Sequence, residues 1–189
     1  MEITPLCELG LKYRTDKCPQ LYHTYTPEYY RMFKDKKESF KKILELGIGT
    51  MQTMKHTTNY EPGASLRMWR DFFPNATVYG VDIAPEAIFT DERIETFQMD
   101  TTIASSLERL IRKVGSDLDL VVDDGPHAAR SQIRTCRTLM PLLNKNVIYV
   151  IEDVKHTQAV KDNLPEYDVE ILELEQHIGR NNLLIVKHK

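Results

Sequence analysis

Ile43-Leu44-Glu45-Leu46-Gly47-Ile48-Gly49 reads as a short buried strand that runs straight into a glycine-bearing turn. Working outward, four more apolar runs follow at Thr77–Ile83, Ile94–Gln98, Leu118–Val122 and Val147–Ile151. Segments with helical periodicity lie between them, at Ser65–Phe73, Ser105–Val114 and His127–Leu143. Short apolar runs bounded by turn residues are fully buried strands, and their alternation with helices implies parallel βαβ units. The end of the chain differs. Tyr167–Leu174 and Asn182–Lys187 are strand-like and joined through His177–Arg180 with no helix between, so the last strand runs antiparallel to its neighbour. The predicted fold class is α/β, a doubly wound, mostly parallel sheet ending in an antiparallel C-terminal hairpin. Upstream of Ile43, a polar, tyrosine-rich arm reaches to about Pro27 and an amphipathic helix is expected near Glu28–Lys37. The whole is read as one domain over residues 1–189, with the arm and its helix in 1–40 and the core in 41–189.

A chain of 189 residues buries roughly 70% of its unfolded surface on folding, enough for a real core. Its net charge of −3 and pI near 6.1 provide no broad basic surface for nucleic acid or anionic membrane. The start, Met1-Glu2-Ile3-Thr4-Pro5, has neither a basic region nor an apolar run of the secretory kind. The three cysteines, Cys7, Cys18 and Cys136, are odd in number and lack zinc spacing, which reads as reduced thiols in a cytoplasmic protein. No repeat or low-complexity tract interrupts the pattern, and the oligomeric state is not legible.

In doubly wound sheets, ligands sit beyond the C-terminal ends of the strands, so residues just after each run carry the functional signal. Gly47 and Gly49 let the backbone turn tightly and approach a ligand, although a strand-to-helix turn that merely needs glycine would look the same. A dinucleotide fingerprint would put a third glycine where Gln52 stands, with an acid about 20 residues on. The acid that ends the next strand is Asp82, much further along, which weakens a nicotinamide reading. Asp82 is placed to accept from both hydroxyls of a ribose, and Asp100 from an adenine amino group. With Glu45, they make three acids at successive strand ends.

The next two strands run into Asp123-Asp124-Gly125-Pro126-His127 and into Glu152-Asp153. Adjacent carboxylates repel unless a cation or hydrogen-bond donors compensate. These strands are neighbours in the expected topology, so Asp124, Glu152 and Asp153 converge at one sheet edge as candidate ligands for Mg²⁺ or Mn²⁺, which prefer oxygen. Asp123 or Asp124 could instead cap the helix that follows. His127, one turn beyond Asp124, suits a general base, since an imidazole titrates near working pH.

Together these residues resemble the metal-dependent sugar O-methyltransferases that act on mycinamicin, macrocin and the rhamnose of tetracenomycin-type antibiotics. The resemblance runs through Thr15-Asp16-Lys17, His23, Tyr25-Thr26-Pro27 and Ile43–Gly49. It continues through Gly63-Ala64-Ser65-Leu66-Arg67-Met68-Trp69, Phe73-Pro74-Asn75-Ala76 and Tyr79–Ile83, then Asp123–His127 and Ile151-Glu152-Asp153. It implies a Rossmann-like class I methyltransferase fold that binds S-adenosylmethionine, with Asp82 on the ribose and Glu45, Gly47, Gly49, Ser65 and Asp100 as the other cofactor-binding residues. It implies Asp124, Glu152 and Asp153 as metal ligands, His127 as base, and a sugar or glycoside, such as a rhamnose-type deoxyhexose, as acceptor. Three departures stand out. Pro126 replaces the serine of the family's Asp-Asp-Gly-Ser-His motif, Asn144-Lys145-Asn146 stands where the family often has Gly-Gly, and the chain is shorter than most members. A catechol-type phenol O-methyltransferase shares a strand-end acid cluster but carries lysine at the position of His127. A non-catalytic cofactor-binding subunit would need neither the acids nor His127.

Overall fold

Every apolar run named above is a strand in the computed structural model, which describes residues 2–174 and 181–189. The strands are β1 (Lys42–Leu46), β2 (Thr77–Asp82), β3 (Thr90–Asp91), β4 (Ile94–Gln98), β5 (Leu120–Asp123), β6 (Ile148–Ile151), β7 (Tyr167–Glu173) and β8 (Asn182–His188). They form one sheet in the order β3-β4-β2-β1-β5-β6-β8-β7. The central pairs β4/β2, β2/β1, β1/β5 and β5/β6 are parallel, whereas β8 is antiparallel to both β6 and β7. The doubly wound sheet with its C-terminal antiparallel pair is therefore as expected, with β3 added as a two-residue edge strand. The connection expected at His177–Arg180 lies outside the described residues.

Side chains alternate across the sheet and build two cores. Leu44, Leu46 and Val121 face α4 (Ala104–Val114) and α5 (Ala129–Leu139), while Ile43, Leu120 and Val122 face α1 (Pro5–Tyr13), α2 (Tyr25–Phe33) and α3 (Ala64–Phe72). Leu107, Leu110, Ile111 and Val114 of α4 recur at helical spacing on its buried face. A short α6 (Thr157–Asp162) precedes β7. Among the described residues no helix is long and apolar enough to cross a membrane.

Several helix boundaries differ from the sequence reading: α5 starts at Ala129 and leaves His127 in the turn before it, and α2 ends at Phe33 and not near Lys37. The arm contains α1, with Thr4 as its N-cap accepting from the Cys7 amide and Pro5 in its first turn. The second helix starts at Tyr25 and takes Pro27 into its first turn, where a missing N–H costs nothing. The helix expected to reach Leu143 stops as an α-helix at Leu139 and tightens into a 3₁₀ turn over Met140–Leu142, because Pro141 cannot donate to the ladder.

Candidate active site

At the switch point β1 is flanked by β2 and β5, and the crevice beyond their C-terminal ends opens into a cavity of about 680 Å³, within the roughly 300–1,000 Å³ usual for small-molecule sites. One end is the glycine turn. Gly47 has φ +87°, and a Cβ there would lie 2.2 Å from the Asp124 carbonyl oxygen. Gly49 has φ +83°, with the Tyr60 hydroxyl 2.8 Å from the place of a Cβ. Both glycines are required by left-handed backbone and by contact, so the turn is a fixed wall of the cavity. Asp82 Oδ2 accepts from the amides of Ile48 at 2.9 Å and Gly49 at 3.1 Å, and its Oδ1 accepts from Ala84 at 2.9 Å. The acid that ends β2 thus pins the glycine turn as well as lining the cavity. Asp100 and Ser65 also line it, and hydrogen bonds from Thr102 hold the Asp100 carboxyl below the usual range. Glu45 does not reach the cavity. It is fully buried beneath it, where Trp69 Nε1 donates to Oε2 at 2.7 Å.

The other end holds the acid cluster. Asp124 follows β5, and Glu152 and Asp153 follow β6, so the pairing of β5 with β6 brings the acids to one edge, as the sequence implied. Three atoms converge there: Asp124 Oδ1, Asp153 Oδ2 and His127 Nε2, with the nitrogen 3.2 Å and 3.5 Å from the two oxygens. The two carboxylate oxygens suit Mg²⁺ or Mn²⁺, with water and substrate oxygens completing the shell, so the residues present fit such an ion. Glu152, the other expected ligand, is turned away. It is completely buried, with Oε2 bonded to the Lys17 ammonium and Oε1 to the Tyr29 hydroxyl. Asp123 accepts from the Tyr149 hydroxyl at 2.7 Å and from the Gly125 amide, and burial pushes it up to about 6. It therefore serves the turn and not the cavity.

Lys17 went unassigned in the sequence reading. It is 2% exposed and its ammonium meets Asp124 Oδ2 at 2.7 Å and Glu45 Oε1 at 3.3 Å, besides Glu152. Burial alone would lower its pKa, but the three carboxylates outweigh it and keep the lysine charged. Burial likewise pushes Asp124 up, yet Lys17 and His127 bring it down to about 2. His127 is lowered by burial and raised by Asp124 and Asp153, and the net direction is up. The Thr15-Asp16-Lys17 motif was the signal that could have found this group. A lysine amid such an acidic set is a counter-ion in waiting, but nothing local says which acids it meets.

No family model matches the chain. Over 150 residues it is 39% identical to the mycinamicin VI 2''-O-methyltransferase of Micromonospora griseorubida, covering 79% of this chain and 36% of that enzyme. The chain is a homologue of sugar O-methyltransferases. It is also 37% identical over 149 residues to an 8-demethyl-8-(2-methoxy-α-L-rhamnosyl)-tetracenomycin-C 3'-O-methyltransferase of Streptomyces olivaceus, again covering 79% of this chain and 36% of the relative. The solved MycE methyltransferase of the mycinamycin biosynthetic pathway, in complex with Mg, SAH and mycinamycin VI, superposes with a TM-score of 0.77 at 29% identity. That superposition covers 98% of this chain and 53% of MycE. The class I methyltransferase fold expected from the sequence is thus shown, and the chain spans little more than a third of the length of these curated relatives.

Proposed function

We propose that this chain transfers a methyl group from S-adenosylmethionine to a hydroxyl of a sugar or glycoside, of which a rhamnose-type deoxyhexose is the favoured example, with a divalent ion positioning the acceptor. One observation carries the reading. A cavity walled by the glycine turn and Asp82 at one end has Asp124 Oδ1, Asp153 Oδ2 and His127 Nε2 converging at the other. When bound, the cofactor supplies an electrophilic methyl group and the ion, Mg²⁺ or Mn²⁺, supplies charge that favours an ionised acceptor hydroxyl. Asp124 and Asp153 would hold the ion, which is commonly bound through one or two carboxylates plus water and substrate oxygens. Glu152 would have to leave Lys17 or Tyr29 to join them. Gly47, Gly49, Ser65, Asp82 and Asp100 line the part of the cavity assigned to the cofactor. His127 would take the acceptor's proton at Nε2, and the flanking carboxylates would stabilise the imidazolium that results. The three cysteines are buried and unpaired, which supports a reducing, cytoplasmic setting.

The test is turnover with S-adenosylmethionine and Mg²⁺ over free sugars, glycosides and catechols, scored by product mass. Methylated sugar or glycoside is expected. EDTA should abolish it, and Mg²⁺ or Mn²⁺ should restore it, while calorimetry shows SAH binding with and without the chelator. Methylation confined to catechols would overturn the acceptor, and full activity in excess EDTA would remove the ion.

A further inference from the structure

The two carboxylates that face His127 are each held from behind by the N-terminal segment. Asp124 turns Oδ1 toward His127, while its Oδ2 lies 2.7 Å from the Lys17 ammonium. Asp153 does the same: Oδ2 faces His127, and Oδ1 accepts from the Tyr25 hydroxyl at 3.0 Å. Lys17 and Tyr25 are fully or almost fully buried, so neither contact is screened by solvent as a surface pair would be.

Tyr25 does more than touch the carboxylate. Its hydroxyl also accepts from the Asp153 amide at 3.2 Å, and so grips both ends of a residue whose backbone is left-handed, at φ +55°. That conformation costs a non-glycine residue some energy, though less for aspartate than for most, and the two hydrogen bonds to Tyr25 help hold it. Tyr29, one helical turn after Tyr25, binds Glu152, so a single face of α2 holds two consecutive acids in opposite directions. Glu152 is directed inward to Lys17 and Asp153 outward to the cavity.

We infer that Lys17 and Tyr25 are positioning residues for the divalent ion, each tying the inward oxygen of one carboxylate so that the outward oxygens of Asp124 and Asp153 converge beside His127. The inference rests on the reading of Asp124 and Asp153 as the ion's ligands. Neither Lys17 nor Tyr25 touches the ion or the acceptor in this scheme. Their effect is to spare the site the entropy of ordering two carboxylates at the moment of binding. Groups that orient metal ligands in this way typically govern affinity by about 10–100-fold.

The experiment titrates Mn²⁺ alone into wild-type protein, Tyr25→Phe, Lys17→Met and Lys17→Arg, reading free Mn²⁺ by electron paramagnetic resonance. SAH affinity and melting temperature are measured on the same samples. Tyr25→Phe keeps the buried ring and loses only the hydroxyl, so it tests the inference even where Lys17→Met does not fold. The expected result is one Mn²⁺ site in the wild type, weakened about ten-fold or more in Tyr25→Phe, with SAH affinity within about two-fold of wild type. Lys17→Met should weaken it too, although it removes a like charge beside the ion, and Lys17→Arg should recover part of the loss; tighter Mn²⁺ binding in Lys17→Met would overturn the role given to Lys17. Equal Mn²⁺ affinity in wild type and Tyr25→Phe would overturn the inference while leaving the ion in place. Parallel loss of Mn²⁺ and SAH binding would overturn it too, by reducing Tyr25 to a packing residue. A wild type that binds no Mn²⁺ would remove the inference together with the ion from the proposed function.

Discussion

Glu152 and Asp153 are consecutive acids at the end of one strand, and they meet opposite fates. Glu152 is sealed, both oxygens taken by Lys17 and Tyr29, while Asp153 opens onto the cavity beside His127. The inner half of the cluster, Glu45, Glu152 and Lys17, is a buried plug of two acids on one ammonium at the ends of neighbouring strands. The outer half, Asp124, Asp153 and His127, is the part with atoms left to offer a ligand. The difference teaches that a carboxylate's chemistry follows from what is packed behind it. Burial pushes Glu45 and Glu152 up even with Lys17 against them, whereas Asp124, which meets both Lys17 and His127, is brought down.

The largest effect expected from breaking this division is in the outer half. His127→Ala should lower turnover by about 10²–10⁴-fold, the usual contribution of a general base, with SAH affinity and melting temperature little changed, because the ring is 38% exposed. A near-normal rate at saturating Mg²⁺ would take His127 out of the mechanism. The inner half should answer mainly in stability, with any loss of rate confined to sub-saturating Mg²⁺. Lys17→Met strands buried carboxylates and should cost about 3–5 kcal/mol, and Tyr29→Phe, which removes one donor from Glu152, about 1–3 kcal/mol. Urea denaturation measures both, and a loss of rate per folded molecule without a loss of stability would erase the distinction between the halves.

The smallest effect calibrates the other two against a single acid in contact with water. Asp71 on α3 accepts from Tyr13 and Lys12 at the end of α1. Burial pushes its carboxyl up, but the hydrogen bonds from Tyr13, Lys12 and Arg70 outweigh it and hold it below the usual range. A depressed carboxyl contributes stability that is present above its unfolded pKa and is lost as pH falls through the folded value. Asp71→Asn should therefore cost a little stability at neutral pH and flatten the fall in melting temperature below about pH 4. An acid limb unchanged by the substitution would show that this surface clasp contributes nothing measurable.

The sheet was legible because parallel strands buried on both faces leave apolar runs, unbroken in Leu120–Val122 and Ile148–Ile151 and interrupted only by Glu45 in Ile43–Leu46. Asp82, Asp123-Asp124 and Glu152-Asp153 stood out because they come where the apolar runs stop, whereas Glu45 stands inside its strand and needs Lys17 and Trp69 as buried partners. α1 escaped notice because it is only nine residues long, carries Gly10 in its interior and sits in an otherwise polar arm, although Thr4-Pro5 was a legible start signal.

By its own pattern, then, the chain determines a doubly wound sheet, the glycine turn at Gly47 and Gly49, and the set of acids at the strand ends together with His127. These depend on local periodicity and on strand adjacency, which a βαβ order already implies. What only the tertiary structure decided is how the acids divide. Lys17 lies 107 residues from Asp124 and 135 from Glu152 in sequence, and Tyr25 lies 128 from Asp153. No periodicity reports such contacts. They arise because α1 and α2 pack on one face of the sheet and carry the intervening segment over the ends of β1, β5 and β6. The direction a carboxylate faces depends on the cation or hydroxyl that burial places against it, and that partner is assigned by packing.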